Sequence, residues 1–160
     1  MRKEIIQHKA GAKSTHENHD WLDLESLASV QITSEDPGFP IENALSANPE
    51  RNEIGWRAAA PGPQTIALSF DNPQHIRGIH LLFIEHQTER MQEFVLRYSS
   101  SKETGREIVR QQWNFSPTGS SQEIEDYTVN LDSVTKLELA IDPDRSGGRA
   151  LATLNLLRLA

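Results

Sequence analysis

The sequence contains no cysteine. Disulfides, thiolate zinc sites and cysteine nucleophiles are therefore excluded. A small secreted β domain would often carry a disulfide staple, so this absence points toward a cytoplasmic location. Basic charge is scarce as well: 16 Lys and Arg stand against 23 Asp and Glu, for a formal net charge of −7. With no basic field to attract them, nucleic acid and anionic membrane surfaces are not expected partners. Long apolar runs are missing too. The longest, residues 79–84, is interrupted by His80, far short of a membrane span. The opening MRKEIIQHKAGAK holds charges but not the apolar segment of a secretory signal. No G-x-S-x-G, Walker loop or dinucleotide fingerprint occurs, and no internal repeat. Nothing here signals an enzyme.

What the sequence does contain is short apolar runs cut by turn residues. Its 160 residues suit one domain. Only 36% are hydrophobic, but these are clustered, as they are not in a disordered chain. Residues 1–28 read as a polar N-terminal arm. It ends in Trp21, Leu22, Leu24 and Leu27 at near-helical spacing, which predicts one helical turn; Asp20 or Ser26 is a candidate cap. From Ser29 the period becomes two. Strands are expected over 29–33, 64–70, 76–84, 91–99, 107–115, 124–131, 136–141 and 152–159. The 76–84 run is apolar on both faces, the mark of a covered central strand. The Pro-, Gly- and Asn-rich stretch 34–63 reads as a long loop. The prediction is all-β: an eight-stranded antiparallel β-sandwich of jelly-roll type over 29–160, preceded by the arm.

Strands that alternate in direction send their connections to two ends. One end receives 34–63, 85–90, 116–123 and 142–150; the other receives 71–75, 99–106 and 132–134. The first set is longer and richer in charged and aromatic residues. Binding residues concentrate on loops held by a rigid scaffold, so this end is the candidate functional face.

The succession NAL (43–45), GWRA (55–58), GPQTIALSF (62–70) and IRGIHLLF (76–83) resembles the galactose-binding-like, discoidin-type (coagulation-factor type C) jelly-roll superfamily. Residues 90–101 and 108–117 look like its bacterial branch. The resemblance spans 29–159. It implies a non-catalytic module that binds sugars, phospholipid headgroups or protein partners through the loops at one end. Extracellular members often join their chain ends by a disulfide, which this sequence cannot do. Many sugar-binding members also hold a structural calcium, using the loop before the Trp and an acidic residue of the final strand. The final strand here, ATLNLLRLA, has no acidic residue, so neither a metal nor a cofactor is expected.

Several groups can be weighed as ligand contacts. Trp56 offers a ring to stack on a sugar, or a plug for the end of the sandwich; Arg57 beside it can hydrogen-bond hydroxyls or carboxylates. Glu85, His86, Glu89 and Arg90 form a dense polar connection, IEHQTER. It serves either as a ligand site or as a Glu–Arg network that shapes the loop. Gln112 and Asn114 point opposite to Trp113, toward a shallow ligand surface or solvent. Asp142, Asp144, Ser146 and Gly147 mimic the start of a calcium loop, but the twelfth position is Thr153 and a plain turn is the better reading. The HENH tetrad, 16–19, lacks a third metal ligand. Glu123, Glu125 and Asp126 read as ordinary surface. The function expected from all this is carbohydrate binding at the loop end. An intracellular protein-interaction or structural subunit on the same fold is the alternative.

Overall fold

The structure, a computed structural model, describes residues 20–160. The HENH tetrad lies outside them. The expected helical turn forms as α1 (Leu24–Leu27). Its N-cap is Asp23 rather than Asp20 or Ser26, and no side chain caps it. Then follow β1 (Ala28–Ile32), α2 (Glu42–Leu45), α3 (Pro49–Ile54), β2 (Trp56–Arg57), β3 (Gln64–Ile84), β4 (Arg90–Ser100), β5 (Arg106–Phe115), β6 (Gln122–Asp142), β7 (Thr153–Leu154) and β8 (Leu156–Leu159). Among the described residues, no helix is long and apolar enough to cross a membrane.

The strand count matches the expectation, but the divisions differ. The segments 64–70 and 76–84 are one strand, β3, and 124–131 and 136–141 are one strand, β6. Residues 71–75 and 132–134, expected as connections, are instead a paired bend. Between the Ser69–Lys136 and Gln74–Val134 pairs, four residues of β3 stand against one of β6, and the register then shifts twice more before Gly78 meets Thr128. Bulges of this kind bend a strand and raise its twist without ending the pairing. Ser133, at φ 52°, takes the left-handed backbone this corner requires. The long loop 34–63 gains α2, α3 and β2, and the last strand breaks at Asn155 into β7 and β8.

The bent β3–β6 ribbon contributes to both layers. One layer orders β1, the first half of β3, the second half of β6, β4 and β5. The other orders the first half of β6, the second half of β3, and β8. All these pairings are antiparallel, and β3 is the covered central strand. Period two carries Ile66, Leu68, Ile79, Leu81 and Phe83 of β3 inward to meet Phe94, Leu96, Leu137, Leu139, Leu157 and Leu159. Phe83 stacks on Phe94 across the layers at 5.3 Å. Each such side chain, fully buried, contributes roughly 1.5–3 kcal/mol.

Candidate functional site

The loop end is one connected surface. Arg145 N donates to Met91 O at 2.7 Å, and Glu85 N to Ser121 O at 2.8 Å. The guanidinium of Arg90 donates from Nη1 to Pro143 O at 3.0 Å and from Nη2 to Thr153 Oγ1 at 3.2 Å. These bonds tie the connections after β3, β5 and β6 to β7. The 34–63 segment joins through β2, which pairs antiparallel with β7.

An open cleft of about 480 Å³ lies where these segments meet. Its walls come from Phe39, from Glu53 and Ile54 at the end of α3, from β2, from 84–88 and from 149–153. Ile54 is exposed and Leu151 half-buried, so the cleft has an apolar lining. His86 and Arg149 are exposed on its rim. Neither side chain has a hydrogen bond or ion pair among the described residues, so their donors are free for a ligand.

Of the residues singled out in the sequence, the structure brings Trp56, Arg57, Glu85 and His86 together around this cleft. Trp56 is 1% exposed and its indole Nε1 donates to Ser34 O at 3.2 Å. It plugs the sandwich end, and a buried ring offers no face to a sugar. Arg57 donates from Nη2 to Asp36 Oδ2 at 2.8 Å and lies 4.0 Å over the Phe39 ring. That hydrogen bond, and one from Gly38 N, hold the Asp36 carboxyl below its ordinary value. One face of Phe39 is thereby covered.

Arg90 is taken up by bonds within the protein. Its side chain is fully buried, donates from Nε to Glu85 Oε1 at 2.7 Å, and lies over Phe115. Glu85 Oε2 accepts from the backbone N–H groups of Gln87 and Thr88. The Glu85–Arg90 pair shapes the loop, as one of the two sequence readings has it. Glu89 and Asn114 line a neighbouring hollow of about 430 Å³ with Met91, Ser116 and Ser146. Gln112 is elsewhere. Its amide donates to Glu93 Oε2 at 3.0 Å, inside an ion-pair group with Arg110 and Arg145. The calcium-like run is a turn: Asp144 Oδ1 accepts from both Ser146 N and Ser146 Oγ, which lowers the Asp144 carboxyl. Among the described residues, no group of three or more His, Asp or Glu is placed to hold a metal.

Arg149, Ile54 and Leu151 were missed in the sequence. Arg149 was within reach, as the one cation in the glycine-flanked tail of a loop already assigned to this end. Ile54 and Leu151 read as loop apolars without distinction.

No protein-family model and no curated protein matches the sequence. Solved structures do match. A pectin binding carbohydrate binding module has a TM-score of 0.59 at 17% identity, covering 84% of this chain and 90% of that one. The family 32 carbohydrate-binding module from C. perfringens NanJ, in complex with galactose, has a TM-score of 0.61 at 12% identity, covering 87% and 96%. The family 32 module of AlyQ, in complex with 4,5-unsaturated mannuronic acid, has a TM-score of 0.57 at 14% identity, covering 89% and 98%. Likeness of this extent shows the fold: the chain has the jelly-roll β-sandwich fold of these modules, the fold that the sequence resemblance implied.

Proposed function

We propose that this chain is a non-catalytic carbohydrate-binding module that takes its sugar in the loop-end cleft. The observation that carries the reading is the pairing of free donors on His86 and Arg149 with the apolar Ile54 and Leu151 in one open cleft. A sugar presents the complementary surface, with hydroxyl or carboxylate oxygens around apolar C–H faces. Similar folds carry sugars: the NanJ module holds galactose, and the AlyQ module a mannuronic acid derivative. A non-catalytic role is supported by the carboxylates. Glycoside hydrolysis uses a pair of them. Of the two lining the cleft, Glu85 is occupied by Arg90 and backbone N–H groups, which leaves Glu53 without a partner acid.

The reading is tested by following backbone amide shifts while galactose and galacturonate oligomers are titrated to millimolar concentration. Shifts confined to 85–88, 149–153 and Arg57 are expected. Arg149→Ala should weaken binding about tenfold, the worth of one lost charge-assisted hydrogen bond, with the melting temperature unchanged. Silence at this cleft toward all sugars, with capture of a defined protein through the same residues, would transfer the fold to the protein-interaction reading.

A further inference from the structure

The segment 42–55 turns backbone carbonyls inward, and three buried asparagines receive them. Asn52 Nδ2 donates to Asn43 O at 2.9 Å and to Ser46 O at 3.0 Å. Asn43 Nδ2 donates to Gly55 O at 3.1 Å. Asn155, at the break between β7 and β8, donates from Nδ2 to Asn52 O at 3.0 Å and to Glu53 O at 3.2 Å. Its Oδ1 accepts from Ile84 N at 3.0 Å. The three residues are 5–6% exposed.

A ring of carbonyl oxygens between a loop and the last strand is what a hard cation collects, and the family resemblance implies a calcium held by this loop and a final-strand acid. The donor set does not fit one. Each of these carbonyls already accepts from an amide N–H, which meets its need for a partner without a cation. The final-strand residue that reaches the loop is a neutral amide. The Arg51 guanidinium also donates to Asn43 Oδ1 at 3.1 Å, which sets a fixed positive charge beside the ring. Gly55 makes the close approach possible: at φ 71°, a Cβ there would lie 2.9 Å from Asn155 Nδ2 and from Leu154 O.

We propose that Asn155 is a positioning residue which, with Asn43 and Asn52, locks the 42–55 segment to the last strand through neutral amide donors, so that the cleft is shaped without a metal ion. Asn155 lines the cleft itself, and its bonds hold Glu53 of one wall and Ile84 of the other. The proposal concerns the frame of the cleft and holds whatever ligand fills it.

The test is thermal unfolding of the full chain in EDTA and in millimolar calcium. A cation held only by the native state at about a hundredfold its dissociation constant raises the midpoint by several degrees; here the two midpoints should coincide. Asn155→Asp keeps the size of the side chain but removes both donated bonds, to Asn52 O and Glu53 O. Its midpoint should fall in EDTA and in calcium alike, as should that of Asn155→Leu. A second readout needs no variant: the Nδ2 protons of the three asparagines should exchange slowly with solvent, and their resonances should not move when calcium is added. A wild-type midpoint raised several degrees by calcium overturns the proposal, as does Asn155→Leu melting with the wild type.

Discussion

Glu123 shows how far a single residue can depart from its sequence context. In the sequence it stands among Glu125 and Asp126 as ordinary surface. In the structure it is fully buried, with Oε1 accepting from Gln92 Nε2 at 3.0 Å and Oε2 unpartnered. Burial first, and the neighbouring Glu125 second, push its carboxyl up to about 9, so it carries a proton at neutral pH. Because the folded value lies above the unfolded one, the protein is most stable below about pH 4.5 with respect to this group. Stability then declines as pH rises through about 9, at up to ~1.4 kcal/mol per pH unit. Glu123→Gln keeps a neutral donor and acceptor in place. It should flatten that decline and add on the order of 2 kcal/mol near pH 8, as read by urea unfolding at acidic and mildly basic pH. Period two placed Glu123 on the Tyr127 face, so its parity was legible. What was not legible was the depth of the loop end, because Gln92 reaches it from a strand 31 positions away. Arg90 has the same history: IEHQTER announces an ion pair, but only the packing decides that the guanidinium points inward.

At the scale of elements, alternation marked where strands run and turn residues misreported where they stop. Asp71, Asn72 and Pro73 carry a turn composition, yet they sit in the register gap between the Ser69 and Gln74 pairs, where no ladder bond is demanded of them. Asp132 and Ser133 are the matching corner on β6. A residue pattern that favours a bend cannot reveal whether the pairing resumes beyond it. Ser133→Gly relieves the left-handed backbone at φ 52° and should stabilise the fold by about 0.5–1 kcal/mol, measured as a shift in the urea midpoint at constant slope. Tolerance of a bulky β-branched residue there would argue that the corner is looser than the pairing implies. The short α2, α3 and β2 escaped a sequence reading because each is too brief for periodicity. Each makes a few backbone bonds of its own, such as Gly55 N to Arg51 O and the β2–β7 pair, and side-chain amides add the ties that fix them to one another.

For the whole molecule, direction of travel along the chain was enough to gather the long connections at one end. Four connections assigned to it from strand alternation do meet there, linked by Arg90, Arg145 and the β2–β7 pair. Which side chains point into the cleft was not recoverable, since that depends on where loops without a period come to rest. The bent ribbon also favours one order of assembly. β4 and β5 form a local hairpin enclosed in sequence by β3 and β6, so the ribbon closes only by bringing together segments on either side of it. A hairpin formed early shortens the loop to be closed and lowers its entropic cost, while β8, paired with β3 at the edge, is expected to join afterwards. Leu96→Ala in β4 should therefore slow refolding, and Leu157→Ala in β8 should chiefly hasten unfolding. Stopped-flow chevrons of the two variants separate these limbs, and equal effects on both limbs would mean that the edge and the hairpin form together.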